Sequence, residues 1–164
     1  MRLYSTVDSP VGELLLSGDG EALSGLWFKH DTRPWRIGRS WQRDDAAFAE
    51  VARQLEQFWA RERTTFDLPL KTEGTPFEQS VWQKLREIPY GETRSYGELA
   101  LSLGLTGHGA RAVGRANGRN PIAVIVPCHR VIGADGSLTG FGGGIERKRT
   151  LLELECPPAQ LTLG

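Results

Sequence analysis

Apolar residues come in short strand-like runs near the start of this chain and in helical stripes after them. Arg2 to Val7, Glu13 to Ser17 and Ala22 to Phe28 read as three strands, separated by the turn-forming strings Asp8-Ser9-Pro10 and Gly18-Asp19-Gly20. Residues 29–43 carry His30, Trp35, Trp41 and scattered arginines with no period, and read as loop. Asp44 and Asp45 can cap a helix from Ala46 to Arg61, whose Phe48, Val51, Leu55, Phe58 and Trp59 share one face. A short strand is expected around Phe66-Asp67-Leu68.

The pattern changes near Gly74. Thr75-Pro76-Phe77-Glu78 predicts a helix start, with Thr as N-cap, Pro at the first position and Glu closing a capping box. Phe77, Val81, Trp82 and Leu85 make its apolar stripe, which ends before Pro89-Tyr90-Gly91. Ser95-Tyr96-Gly97-Glu98 is a second capping box, opening a helix that carries Leu99, Ala100, Leu101 and Leu103. Thr106-Gly107-His108-Gly109 breaks it, and a third helix runs from Ala110 to Ala116, stopping at Asn117-Gly118 where a positive φ is easily taken. The organisation predicted is an α/β (α+β) chain with an N-terminal sheet-plus-helix domain over 1–73 and a mostly helical domain over 74–164.

One run stands apart. Ile122-Ala123-Val124-Ile125-Val126 is apolar and β-branched, reads as a buried strand, and meets Pro127, which has no N–H to give a sheet. Cys128, His129 and Arg130 follow at once, a setting in which a thiolate can be stabilised.

Composition narrows the classes. The chain has 164 residues, 39% hydrophobic and 24% charged, as a soluble globular protein does. No apolar stretch reaches the roughly 18 residues that span a bilayer, and Met1 to Thr6 lacks the apolar core of a signal peptide, so a cytoplasmic protein with no membrane partner is expected. Two distant cysteines and three histidines without CxxC or HxxxH spacing argue against a disulfide framework and against a metal site. No cofactor-binding motif is visible, so none is expected.

The zero net charge hides an asymmetry: residues 108–150 hold seven basic side chains against two acidic, a net +5, whereas residues 1–75 carry −2. That is either a solvated basic surface or the footprint of an anionic partner, most naturally nucleic acid. Two short helices joined by a glycine-containing break have the dimensions of a helix-turn-helix. Ala110, Ala112 and Gly114 make one side of the second helix thin, while Arg111 and Arg115 lie four apart. Two amphipathic helices packed for the core, with exposed arginines, are the plain alternative.

Three readings compete for Cys128: a buried structural thiol, the nucleophile of a Cys–His hydrolase, or a nucleophile attacking something brought by DNA. The surroundings do not match those of the usual cysteine proteases, and the upstream helix-turn-helix makes the third reading the most coherent.

Here the resemblance becomes specific. Pro127-Cys128-His129-Arg130-Val131 resembles the active-site motif of the O6-alkylguanine-DNA alkyltransferases, or methylated-DNA–protein-cysteine methyltransferases, of bacterial type. The likeness extends through Tyr96, Ala110-Arg111-Ala112-Val113-Gly114 and Asn120-Pro121, then Gly142-Gly143-Gly144, Arg147-Lys148, Leu151-Leu152 and Glu155. It is strong over residues 75–156, and the N-terminal part is similar to the family's more variable domain. The fold it implies is a small ribonuclease-H-like domain followed by a helical, winged-helix-like domain containing the helix-turn-helix.

The resemblance also implies a mechanism. Cys128 attacks the alkyl carbon on O6 of a damaged guanine by in-line displacement. An unperturbed thiol, with a pKa of about 8.5, is only a few per cent ionised at neutral pH, so it needs a base. His129 fills that role through a water, and Glu155 orients the imidazole as the third member of a triad. Tyr96 bonds the purine as the base departs, and Asn120 bridges the helix-turn-helix to the Cys128 segment. Backbone at Val131 and Gly142, with Phe141 and Lys148, contacts the base. Phe141 stands where some members have tyrosine, so a hydroxyl contact there is lost. Without the likeness, Glu155 and Lys148 would read as solvated helix residues and His129 as a partly buried imidazole.

The recognition helix enters the minor groove of alkylated double-stranded DNA, with Arg111 taking the place of the flipped nucleotide and Ala110, Ala112, Gly114 and Arg115 beside it. A thioether on Cys128 has no good leaving group, so the protein is expected to act once. It is expected to be a monomer in solution, with cooperativity on DNA and repair of O4-alkylthymine left open. Cys156 is read as incidental. The alternatives carried forward are a catalytically silent alkylated-DNA lesion-binding protein, which Cys128 speaks against, and the Cys–His hydrolase.

Overall fold

Four strands make the first sheet of the computed structural model, which describes residues 2–30, 34–138, 141 and 144–156. β1 (Leu3–Val7), β2 (Leu14–Gly18) and β3 (Leu23–Phe28) pair antiparallel, and β4 (Gln42–Arg43) joins β1 in parallel, in the order β3-β2-β1-β4. β2 is buried along its whole length, which is why Leu14-Leu15-Leu16 reads as continuously apolar rather than alternating. β4 lies inside the stretch expected to be loop. Its pairing is with Leu3 and Tyr4 at the start of β1, a contact that no local pattern in 29–43 encodes.

Asp44 accepts a hydrogen bond from the Ala47 N–H at 3.2 Å and starts a 3-10 turn, Asp45–Phe48, that leads into α1 (Ala49–Trp59). Phe48, Val51, Leu55 and Phe58 are its buried face. The strand expected at Phe66–Leu68 is absent. The buried Gln54 amide takes both backbone groups of Asp67, donating to its carbonyl at 3.0 Å and accepting from its N–H at 2.9 Å. A side chain thus fills the place of a neighbouring strand, and the only bridge of this segment is Leu70 to Leu23.

A second compact unit contains Glu73–Asn120 and the described residues from Val124 onward, while Pro121–Ala123 belong with the first unit. Both capping boxes form as predicted. Thr75 and Glu78 start α2 (Pro76–Arg86), and Ser95 and Glu98 start α3 (Tyr96–Ser102). After α4 (Gly109–Gly118) and the Cys128 segment comes α5 (Ile145–Glu155), and β5 (Arg94–Ser95) pairs in parallel with β6 (Val131–Ile132). Val81, Trp82, Leu85, Val113, Ala116, Val131 and Leu151 form the core, and the Trp82 indole donates to the Ala116 carbonyl at 2.8 Å. Among the described residues no helix is long and apolar enough to cross a membrane.

α3 and α4 form the helix-turn-helix, joined by Leu103–His108, with Gly104 and Gly107 at φ of 75° and 62°. α4 runs through Asn117 and Gly118 to a C-cap at Arg119 with φ −98°, so the expected left-handed stop is not used. The Asn117 side chain is buried in that last turn and donates to the Cys128 carbonyl at 3.4 Å. Gly109 has a different reason to be glycine: a Cβ there would sit 2.6 Å from Leu105 Cβ and 3.3 Å from Ala100 Cβ. Gly109→Ala is therefore expected to force α3 and α4 apart and cost roughly 1–3 kcal/mol. Chemical denaturation checks this, and an unchanged midpoint would show that the turn can yield.

The largest correction concerns the apolar run before Cys128. It is buried, but it is not a strand. Only Ile122 bridges to Leu26, flanked by hydrogen bonds from the Leu26 N–H to the Pro121 carbonyl at 2.8 Å and from the Ala123 N–H to the Leu26 carbonyl at 3.3 Å. Ala123–Ile125 then turn, with Val124 at φ 71°, a conformation unusual for a β-branched residue. Short apolar runs look alike whether they bury as strand or as turn. Pro127 accordingly ends no ladder. It leads into a 3-10 turn at Cys128–Arg130.

Candidate active site

Cys128, His129 and Arg130 occupy that single 3-10 turn, and all three are buried. With about three residues per turn, consecutive side chains point in different directions. The Cys128 thiol meets the Asn120 side chain and the charge of Lys148, whereas His129 and Arg130 both reach Glu155. The segment around the turn is tied to the C-terminal end of α4 and the residues just after it at two points. Asn120 donates to the Val126 carbonyl at 2.7 Å, and Asn117 donates to the Cys128 carbonyl at 3.4 Å.

Glu155, the last residue of α5, is the hub. Its Oε2 meets His129 Nε2 at 2.6 Å and accepts from Arg130 Nη2 at 2.9 Å; its Oε1 accepts from Arg130 Nε at 2.8 Å and from the Gly91 N–H at 3.3 Å. Arg130 Nη1 donates to the Ile88 carbonyl at 2.7 Å, and its guanidinium lies 5.8 Å from the Tyr90 ring centre. α5 shows only a weak apolar stripe because its inward face carries Lys148, Leu151 and Glu155. Lys148 is fully buried, with Nζ 5.9 Å from the Tyr96 ring centre and 6.0 Å from that of Phe141. Tyr96 in turn stands beside α4 at Gly114, where an added Cβ would lie 3.8 Å from two of its ring carbons.

Burial sets the protonation states. It pushes the Cys128 thiol above its ordinary pKa, against the opposing hydrogen bond from Asn120 and the charge of Lys148. It presses His129 below its ordinary value, opposed by the hydrogen bond and charge of Glu155 and helped by Arg130 and Lys148. Burial also lowers Lys148, which Cys128 partly offsets. For Glu155, burial acts upward, but the hydrogen bonds and charges of His129 and Arg130 outweigh it and bring the carboxyl down to about 2. The resting site is thus a neutral thiol beside a neutral imidazole that donates from Nε2 to a carboxylate. His129 Nδ1 has no hydrogen-bond partner among the described residues and is left as the acceptor. Such an arrangement can draw a proton from a thiol and support a sulfur nucleophile.

A depressed carboxyl pKa contributes stability that is present above the unfolded value, 4.5 here, and is lost as pH falls toward about 2. Glu155 alone is expected to contribute on the order of 3 kcal/mol through that window. Denaturation at a series of acid pH values checks this: Glu155→Gln should show a shallower acid limb than the unaltered protein, and parallel limbs would refute the assignment.

The remaining residues singled out from the sequence lie as follows. Arg111 and Arg115 are exposed on α4, on the side away from buried Val113, Ala116 and Asn117, with Ala110, Ala112 and Gly114 half-buried between. Val131 is buried and pairs with Arg94, and Phe141 is half-buried. Gly142 lies outside the described residues. Cys156 is half-buried just past α5. Sequence reasoning gave no site role to Asn117 or to the Arg130–Glu155 pairing, and read Lys148 as solvated as readily as buried. Helical spacing from Val113 and Ala116 was the signal available for Asn117, and a place within an otherwise buried run was the signal for Arg130.

Two family models match the chain. One, described as the DNA-binding domain of 6-O-methylguanine DNA methyltransferase, matches residues 76–156; the other, described as its ribonuclease-like domain, matches residues 2–72. The methylated-DNA–protein-cysteine methyltransferase of Mycobacterium tuberculosis is 56% identical over 163 residues, covering 98% of this chain and 97% of the relative. That of Methanosarcina acetivorans is 50% identical over 152 residues, covering 93% and 97%. Among solved structures, Mycobacterium tuberculosis OGT in complex with DNA superposes with a TM-score of 0.88 at 55% identity, covering 98% of each chain. The O6-methylguanine-DNA methyltransferase of Pyrococcus kodakaraensis gives 0.68 at 26% identity, covering 95% and 99%.

Proposed function

This chain belongs to the 6-O-methylguanine DNA methyltransferase family, and from that premise we propose that each molecule repairs one O6-alkylguanine in DNA by taking the alkyl group onto Cys128. The observation that carries this reading is a buried Cys128, next in its turn to a His129 held by Glu155, in a segment whose Cys128 and Val126 carbonyls accept from Asn117 and Asn120 at the end of an arginine-bearing helix.

His129 accepts the thiol proton at Nδ1, relayed by a solvent water, while Glu155 holds the imidazole from Nε2. The sulfur attacks the alkyl carbon, an S–C bond forms as the O6–C bond breaks, and the guanine anion so released takes up a proton, in net the one drawn from the thiol, to leave guanine in the DNA. Tyr96 and Lys148 stabilise the departing purine, with backbone at Val131 and the Phe141 ring against the base. The recognition helix α4 lies in the minor groove. Its Ala110, Ala112 and Gly114 allow close approach, Arg115 contacts the backbone, and Arg111 fills the stack from which the base is extruded. The thioether product is stable, so each molecule turns over once. A catalytically silent lesion binder is disfavoured because the acceptor thiol is present.

Mass analysis after mixing with an O6-methylguanine oligonucleotide tests the reading. One methyl group is expected on the Cys128 peptide, in equimolar amount; tight binding with no transfer would sink it. Arg111→Ala is expected to slow repair of a duplex by roughly tenfold or more, since extruding a base costs a few kcal/mol, while reaction with free O6-alkylguanine base stays near normal. Equal losses on both substrates would remove Arg111 from base extrusion.

A further inference from the structure

We propose that Arg130 is a positioning residue of the proton relay: by gripping both oxygens of Glu155, it withholds that carboxylate's charge from His129 and keeps the imidazole neutral, with Nδ1 as acceptor, until an alkylated base is in place. The proposal rests on the reading of Cys128 as the alkyl acceptor.

In a nucleophile–histidine–carboxylate triad the carboxylate stabilises the imidazolium that forms during reaction. Here the same carboxylate is already paired. Arg130 Nε and Nη2 form a fork on Glu155 at 2.8 and 2.9 Å, a two-point geometry that guanidinium and carboxylate match well. Arg130 is itself held by the Ile88 carbonyl at 2.7 Å and by the Tyr90 ring, so it is not a side chain in transit. The Gly91 N–H adds a fourth donor to Glu155. His129 therefore shares a neutralised partner, and His129 Nδ1 is the position that a proton can enter. The charged groups acting on His129 are Glu155 and Lys148 from α5 and Arg130 from its own turn; two of the three are cations that oppose an imidazolium. Burial of His129 is the largest influence and works in the same direction as the cations, while Glu155 opposes them.

The chemical consequence is selectivity. A relay with an unpaired carboxylate would hold Cys128 as a standing thiolate–imidazolium pair, open to any small electrophile. With Arg130 in place the resting sulfur keeps its proton, and proton transfer to Nδ1 accompanies attack on the bound alkyl group.

Nitrogen-15 NMR of the unaltered protein, without DNA, gives the first test. His129 is expected to be neutral at about pH 7, protonated on Nε2 and bare on Nδ1, and a doubly protonated ring would overturn the proposal. The second test is the pH profile of Cys128 alkylation by iodoacetamide, again without DNA. In Arg130→Met the profile is expected to move down by about one pH unit, raising the rate near neutrality roughly tenfold. Arg130→Lys should return it toward normal, and the pH profile of methyl transfer should move in parallel. An unmoved profile in an Arg130→Met protein with intact near-ultraviolet circular dichroism would overturn the proposal; if that variant does not fold, the NMR result on the unaltered protein decides. Neither the NMR measurement nor the iodoacetamide profile uses DNA, so their failure is distinguishable from failure of methyl transfer to Cys128.

Discussion

Cys128→Ala is expected to abolish methyl transfer altogether while leaving affinity for a methylated duplex within a few-fold of normal. The reason is a division of labour visible in the second unit. The thiol is buried in a 3-10 turn, and the arginines that would meet DNA are exposed on α4, on the side away from its buried face. Removing one sulfur atom takes away the thiol's contact with the Asn120 side chain but leaves the hydrogen bonds of Asn117 to the Cys128 carbonyl and of Asn120 to the Val126 carbonyl, which hold the segment. The stability cost should stay near 1 kcal/mol, a small-cavity value. Two measurements check this: single-turnover transfer followed by mass, and equilibrium binding to a duplex with and without the lesion. Loss of binding together with transfer would mean that the thiol helps to shape the DNA surface, and the division would be wrong. Residual transfer would mean a second acceptor, for which Cys156 is the other cysteine of the chain.

What could be read from the sequence divides along a physical line. Features set by neighbours within one helical turn were legible: the capping boxes at Thr75–Glu78 and Ser95–Glu98, the Asp44 cap, and the apolar stripe of α1. Features set by distant partners were not. β4 exists because Gln42 and Arg43 meet Leu3 and Tyr4, and Phe66–Leu68 fail as a strand because Gln54 intercepts Asp67. The run Ile122–Val126 was correctly read as buried, but nothing in five apolar residues distinguishes a strand from a turn carrying Val124 at positive φ.

The site shows the same division more sharply. Cys128 and His129 were legible because they are adjacent and stand beside an abrupt change of pattern. Arg130, Lys148 and Glu155 are charged, and a charged residue in a sequence is most often at the surface. The burial of Arg130 and Glu155 is intelligible only as a pair: each offsets the cost of burying the other across 25 residues of sequence, which no window spans, while Lys148 is buried against the Tyr96 and Phe141 rings.

Glu155→Ala should therefore be the most destabilising of the substitutions considered. It removes the partner of two buried groups at once, leaving the Arg130 guanidinium with only the Ile88 carbonyl and the ring of Tyr90, and leaving His129 Nε2 without its acceptor. Taking one partner from a buried ion pair costs about 3–5 kcal/mol, because the remaining charge is stranded in a poorly solvated place. For a chain of this length each kcal/mol lowers the melting temperature by roughly 2–4 °C, so a fall on the order of 10 °C is expected. Transfer should also slow by about 100-fold or more even where the protein stays folded, since an unanchored imidazole no longer presents Nδ1 in one tautomer. Glu155→Gln separates the two effects. It keeps the shape and one acceptor for His129, so its transfer rate should fall less than that of Glu155→Ala, but it still strands the Arg130 charge, so most of the stability loss should remain. Calorimetry and single-turnover kinetics on both variants check this. A Glu155→Ala protein melting within about 2 °C of normal would show that Arg130 and His129 find water when the carboxylate is gone, and that the pair is less buried than the described geometry requires.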